Sequence, residues 1–440
     1  MDKAYLWHPF TQMKSWENED ILIIEKGRGN YLIDVNGKRY LDGVSSLWTN
    51  VHGHRKRYID DAIKKQLQKI AHSTFLGLSH PGAIVLSKML LDIAPEGLDR
   101  VFYSDNGATA VEIAIKMALQ YWYNAGKPQR YVFVSLDNAY HGDTIGSVSV
   151  GGIGLFHATY RPLLFKTIKA PSPYCYRCGL GLSYPSCGLA CAKKIDEILR
   201  ANSGRVAGLV LEPMVQAAGG FITSPPGYLK AIREITARHD VLMIADEVAT
   251  GFGRTGRMFA CEHEHVMPDI MTVAKGISGG YLPIAATLTT GKIYDAFLGE
   301  YGEKKTFYHG HTYTANPLGV AASIANLELF KKERIIQGLR PKIRLLKEGL
   351  RRIAALDHAG EVRQLGMMTG IELVKNRATK EPYPFELRTG ARVCLEARKH
   401  GIIIRPLDDV VVLMPPLSIT LHQLSYLLGS VESAIRKITD

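Results

Sequence analysis

Lys275 stands in Val273-Ala274-Lys275-Gly276-Ile277-Ser278-Gly279-Gly280, and Asp246, twenty-nine positions upstream, in Met243-Ile244-Ala245-Asp246-Glu247-Val248. Each charge closes an apolar, strand-like run. A lysine so placed can attach covalently to an aldehyde. An aspartate beside it can keep a pyridine nitrogen protonated. These are the two protein groups that pyridoxal 5′-phosphate (PLP) requires. An apolar-flanked lysine alone is equally well a strand end reaching solvent, so the partner and the phosphate signals carry the reading.

The first phosphate signal follows Val101-Phe102-Tyr103. Ser104-Asp105-Asn106-Gly107-Ala108-Thr109-Ala110 opens a helix with apolar Val111, Ile113, Ala114, Ile115, Met117 and Ala118. Gly107 lets the backbone come close, and the amides and dipole of a helix start favour an anion. The same residues also fit an ordinary helix capped by Ser104 or Asp105. A second candidate is His309-Gly310-His311-Thr312-Tyr313, where the Thr312 hydroxyl can donate to a phosphate oxygen. Tyr140, in Tyr140-His141-Gly142-Asp143-Thr144, can stack on an aromatic ring or serve as a core tyrosine at a strand end. Val248 lies two residues after Asp246, so in an extended strand both point the same way, and its aliphatic side chain can cover a pyridine face.

The elements that must position these groups alternate. Strand candidates are 100–104, 131–136, 206–211, 241–246, 270–274 and 284–289, with helices between them, notably 107–124 and 226–239. That order predicts an α/β fold with a mainly parallel sheet flanked by helices, with ligands beyond the strands' C-terminal ends. Short strands are expected at 21–24, 31–34 and 40–42 around Asn36-Gly37. After residue 317 a long helical region leads to short strands at 362–374 and 402–414. Residues 1–60 and 326–440 are expected to form a smaller α+β domain beside a large cofactor-binding domain, 61–325.

The chain has 440 residues, 46% of them hydrophobic, and a formal net charge of +12. No run approaches the roughly 20 apolar residues that span a bilayer, and no signal-peptide pattern opens the chain. A cytoplasmic protein without membrane contact is expected. The basic run Lys331–Arg352 has helical apolar spacing and no interleaved aromatic platforms, which speaks against a nucleic-acid partner. Among six cysteines, Cys175, Cys178, Cys187 and Cys191 form C-x2-C-x8-C-x3-C. Four such residues fit a structural zinc site, free thiols or disulfides. No metal is assigned to the catalytic machinery.

Over nearly its full length the chain resembles the subgroup III, fold-type I PLP-dependent aminotransferases. Within them it is most similar to the 8-amino-7-oxononanoate aminotransferases of biotin biosynthesis. The matching blocks are Trp7-His8-Pro9-Phe10-Thr11-Gln12, Ser45-Ser46-Leu47-Trp48, Val51-His52-Gly53-His54, Tyr140 to Thr144, Asp246 to Arg254, Lys275 with its glycines, and Arg405-Pro406-Leu407. The resemblance implies that Lys275 carries PLP and moves the substrate proton, and that Asp246 binds the ring nitrogen. Gly107 and Ala108 would hold the phosphate, with His311 and Thr312 joining from the other subunit of a homodimer. Tyr140 would stack near the ring, and Phe10, Trp48, Gly310 and Arg405 would line the substrate pocket. Arg405 would grip a carboxylate, for which its planar fork is suited. Other ω-amino-acid aminotransferases and an aminomutase share the scaffold. Phe10 and Leu47 stand where many members have tyrosine and tryptophan. They lean the amino donor toward lysine, with S-adenosylmethionine the alternative.

Overall fold

The computed structural model describes residues 1–440. Its central sheet has seven strands in the order Leu98–Ser104, Ala285–Thr290, Ile270–Val273, Leu242–Asp246, Val206–Leu211, Val132–Leu136, Thr167–Ala170. The five strands from Ile270–Val273 onward are parallel, and Ala285–Thr290 is antiparallel to both neighbours. Six of the seven are the expected runs. The edge strand Thr167–Ala170 escapes sequence reading because it is short and carries the cation of Lys169.

Burial explains why these runs are strands. Val206–Leu211 is buried at every position, as a parallel strand covered on both faces must be. Val210 and Ile244 face the helix Gly107–Asn124, while Leu209, Met243 and Ala245 face the helices Ala190–Ala201 and Tyr228–Arg238. The first of these helices begins where sequence predicts. Its cap is Asn106 and not Ser104 or Asp105: Asn106 Oδ1 accepts from the Thr109 amide at 3.1 Å, and the Asn106 amide donates to the Thr109 hydroxyl at 3.1 Å.

The N- and C-terminal segments build two further four-stranded sheets. One joins Ile24–Arg28, Tyr31–Asp34 and Arg39–Asp42 to Ile402–Ile403, which pairs in parallel with Leu41 and Asp42. The other contains Ala359–Leu365, Met368–Leu373, Val410–Leu413 and Arg405–Leu407. The first hairpin strand starts at Ile24, not Ile21, because the turn pairs Arg28 with Tyr31 and leaves Ile21 to Ile23 beyond the partner's end. The long helical region after 317 is two helices, Pro317–Lys332 and Ile335–Ala354, parted by Arg334 at φ 49°. The basic second helix buries Leu339, Leu346, Leu350 and Ile353, as its spacing predicts. No helix is long and apolar enough to cross a membrane.

Candidate active site

One cavity of about 690 Å³ opens at the C-terminal ends of the parallel strands. Lys275, Asp246, Val248, Tyr140, Gly107, Ala108 and Trp48 all reach its wall. Sheet order brings Asp246 and Lys275 together, since their strands are neighbours and pair Asp246 with Thr272.

Asp246 is fixed from behind. His141 Nδ1 donates to Oδ2 at 2.7 Å, while Oδ1 accepts from the Val248 amide at 3.0 Å and from the Thr272 hydroxyl at 3.2 Å. The carboxylate therefore cannot turn, and its cavity side stays available. The other nitrogen of His141 is buried without a partner.

Lys275 makes no hydrogen bond or ion pair; its Nζ lies 4.9 Å from the centre of the Trp48 ring. Burial lowers its pKa below the ordinary lysine value, against the opposing pull of Asp246 and Glu212. A lysine with more neutral amine is a better nucleophile and base. Its backbone sits at φ 44°, a conformation that costs about 1–3 kcal/mol for a residue with a side chain. Asn326 holds the strained turn by donating to Gly276 O at 3.0 Å and Ile277 O at 2.9 Å.

The phosphate end is built by close approach. A Cβ on Gly107 would meet Val248 Cγ1 at 2.6 Å, so this glycine lets the helix start lie against Val248. Gly142, at φ 123°, brings the Tyr140 loop against Ala108, where a Cβ would clash at 2.4 Å. Gly107 and Ala108 are the first two helical residues, whose amides have no intrahelical acceptor. Such a cradle fits a phosphate, and an unpartnered lysine beside a fixed carboxylate fits the rest of PLP.

Tyr140 donates to Asp143 Oδ2 at 2.7 Å, and burial, aided by that carboxylate, pushes its hydroxyl well above the usual range. Arg405 is half-buried and outside the cavity wall, near enough to Tyr140 for each to perturb the other. Phe10 is 60% exposed and packs edge-on against Phe156, ring centres 5.3 Å apart. Gly310 and Thr312 are exposed and away from the cavity, while His311 touches its rim through Asp105 at 2.9 Å. The four clustered cysteines are free thiols around a separate small cavity. No three His, Cys, Asp or Glu side chains form a ready-made metal-ligand set.

Sequence reasoning gave no role to His141 or Glu212. Glu212 is buried at the cavity wall and accepts the amides of Tyr140 at 3.1 Å and Ala217 at 2.8 Å. Burial raises its pKa to about 7, with Asp246 adding to the rise and His141 opposing it. Its signal was present: like Asp246, it follows directly on an all-apolar strand. Arg254 was quoted only as part of a motif. It is buried and donates to Ser45 Oγ, Pro415 O, Trp48 O and Asn50 O at 2.9–3.2 Å, fixing the segment that carries Trp48.

Comparison with known proteins gives a consistent picture. Residues 12–435 match the family described as class-III aminotransferases. The adenosylmethionine-8-amino-7-oxononanoate aminotransferase of Geobacter sulfurreducens is 56% identical, covering 100% of this chain and 97% of its own. The protein of the same name from Aquifex aeolicus is 54% identical over 99% and 96%. The crystal structure of the protein of that name from Methanocaldococcus jannaschii superimposes with a TM-score of 0.95, at 47% identity over 99% and 98% of the two chains.

Proposed function

The chain belongs to the class-III aminotransferases, and from that premise we propose that it transfers the amino group of S-adenosylmethionine to 8-amino-7-oxononanoate, giving 7,8-diaminononanoate for biotin biosynthesis. The observation that carries this reading is the unpartnered, partly desolvated Lys275 in one cavity with the fixed Asp246 and Trp48. The full-length relatives supply the substrate class.

PLP is the cofactor, and when bound it supplies an electron sink for the charge that develops as a C–H bond beside the amine breaks. The chain's own groups do the rest. Lys275 Nζ takes the proton from the donor carbon and later delivers one to the acceptor carbon. Asp246 would pair with the ring nitrogen and is kept in place by His141, Thr272 and the Val248 amide. Gly107 and Ala108 would hold the phosphate, and Val248 would pack against the ring. Tyr140 lines the pocket, and Arg405, close enough to Tyr140 to perturb it, would receive the acceptor's carboxylate.

The donor assignment differs from the lean that sequence suggested. Phe10 and Leu47 are 60% and 48% exposed, and neither lines the cavity of its own chain. Trp48 is the aromatic wall. Its face lies 4.9 Å from Lys275 Nζ, and a sulfonium there would be attracted to the ring. The names of the full-length relatives agree with this donor.

We read the working form as a homodimer in the cytoplasm. Thr312, Gly310 and His311 would reach the partner's site from a surface where Leu76, Leu78, Ile84, Tyr308 and Tyr313 are all more than half exposed. Such an apolar surface is typical of an interaction face. Residues 61–325 form the cofactor-holding unit, and 1–60 with 326–440 the smaller one. The experiment is single-turnover spectroscopy of the PLP-loaded enzyme with each donor separately. S-adenosylmethionine should convert the bound cofactor, and the converted enzyme should then accept 8-amino-7-oxononanoate. Conversion by lysine alone would overturn the donor, and failure with this acceptor would overturn the function.

A further inference from the structure

A hairpin tip supplies part of the cavity wall. Val215–Gln216 pairs with Ile222–Thr223, and Ala217 and Ala218 between them line the cavity. The tip closes on itself, with the amides of Gly220 and Phe221 donating to Ala217 O at 3.2 and 2.9 Å. Its exit is strained, because Phe221 sits at φ 55°, in the left-handed region that favours glycine. Phe221 is nevertheless fully buried, its ring edge-on to that of Trp48 with centres 5.3 Å apart. Arg254 holds the backbone of Trp48, whereas Phe221 packs on the Trp48 ring.

The tip is gripped from the sheet that the C-terminal segment builds. There Arg363, in Ala359–Leu365, and Gly370, in Met368–Leu373, stand opposite each other in register. Arg363 Nη2 donates to Gly220 O at 2.7 Å. Gly370 leaves the room for that contact, since a Cβ on it would stand 2.9 Å from both Gly220 O and Phe221 Cβ. Nη1 of the same guanidinium donates to Glu372 at 2.6 Å, to Glu361, and to the Tyr174 hydroxyl at 2.8 Å. Arg177 Nε adds a second cation to Glu372 at 2.6 Å. Arg363 and Glu372 are both buried. A buried ion pair adds little net stability over apolar side chains, because desolvation offsets the attraction, so stability alone does not account for the cluster. What a planar guanidinium does uniquely is bind carboxylates with one nitrogen while fixing a carbonyl with the other.

On the reading that this cavity seats cofactor and substrate, we propose that Arg363 is a positioning residue for the substrate wall: through Gly220 and Phe221 it sets where the Trp48 ring stands beside Lys275. The contacts run without a gap. Arg363 holds Gly220 O, Phe221 follows directly in the chain, its ring lies on Trp48, and the Trp48 ring centre is 4.9 Å from Lys275 Nζ. Arg363, Glu361 and Glu372 do not line the cavity themselves, so any effect they have on the reaction passes through the hairpin tip. The cofactor side is held by other groups. Asp246 is fixed by His141, Thr272 and the Val248 amide, and Gly107 lies against Val248. Loosening the tip should therefore weaken substrate binding and spare the cofactor.

The test uses the full-length, PLP-loaded enzyme with S-adenosylmethionine and 8-amino-7-oxononanoate. Arg363→Lys keeps a cation beside Glu372 but loses the fork that also reaches Gly220. Its KM for S-adenosylmethionine should rise about tenfold, with kcat and the Kd for PLP each within about twofold of wild type. Gly370→Ala crowds Gly220 and Phe221 without touching the ions and should act in the same way. Arg177→Gln loosens the ion cluster without touching Gly220, so it should lower Tm and leave KM unchanged. In a Trp48→Ala background, adding Arg363→Lys should change KM by no more than about twofold, because the wall it positions is gone. An equal rise with and without Trp48, or a rise in Arg177→Gln that matches Arg363→Lys, would mark a general loss of packing and overturn the proposal. If Arg363→Lys does not fold, Gly370→Ala and Phe221→Leu decide, and unchanged KM in both overturns it. An active wild type with unaltered KM in all the variants removes this proposal alone. A wild type that binds neither substrate removes the proposed function and this proposal with it.

Discussion

One methyl group added at Gly107 should cost the protein much of its affinity for PLP. The new Cβ would stand 2.6 Å from Val248 Cγ1 and 3.2 Å from Cγ2, inside any tolerable contact. Val248 is β-branched, so the contact can be relieved only by a turn about χ1 that carries a methyl group into the cavity. In the free protein it can swing into the cavity, so the fold keeps its stability. With cofactor bound that space is taken, and the overpacking cost of about 1–3 kcal/mol falls on binding. Gly107→Ala should therefore raise the Kd for PLP roughly five- to a hundredfold. The assay is equilibrium titration of resolved apoenzyme, followed by cofactor absorbance, with apoenzyme Tm as the control. Val248→Ala removes both clashing carbons, so the double variant should bind more tightly than Gly107→Ala alone. A Gly107→Ala enzyme with wild-type affinity, or a double variant no better than the single, would refute the proposed seat.

Lys275→Ala should abolish turnover while leaving PLP bound through its phosphate and ring contacts; normal turnover, or borohydride trapping of the cofactor on another lysine, would count against it. Arg405→Ala should slow the acceptor half-reaction about ten- to a hundredfold and spare the donor half-reaction, whereas equal losses would indicate a scaffold role. Burial raises the Glu212 pKa from 4.5 to about 7, so its contribution to stability is fully present below 4.5 and lost as pH rises through 7. That loss is about 3 kcal/mol. Glu212→Gln does not titrate. Its Tm should gain on the wild type as pH rises from about 4.5 to 7 and level off above that, and a pH-independent difference would sink the assignment.

Where a signal is local, the sequence can be read closely. The helix Gly107–Asn124 matches its expected bounds because Asn106 caps one end and Gly126, at φ 74°, turns the chain after the other. Lys275 and Asp246 were legible as charges closing apolar runs. Relations across the sheet were not. That His141 stands behind Asp246, and that Glu212 joins the Tyr140 loop to Ala217, follows from strand order, which no short window contains. The 60% exposure of Phe10 was likewise not legible, since a motif gives a residue's type and not its surroundings. Gly310 and Thr312 face away from their own chain's cavity, and the proposed second subunit is needed to give them a site.

The bonds of Arg254 also order the protein's assembly in time. Its guanidinium joins Ser45, Trp48 and Asn50 to Pro415. The strand Arg39–Asp42 likewise waits for Ile402–Ile403. A ribosome that has released the parallel sheet has therefore delivered Asp246 and Lys275 but not the contacts that fix Trp48 beside them. Contacts across such sequence separations form slowly and late. The growing chain thus has the cavity's sheet-borne side first and the Trp48 side only when synthesis is nearly done. A nick or truncation near residue 415 would loosen Trp48, more than 360 positions away in the chain, before it disturbed Lys275.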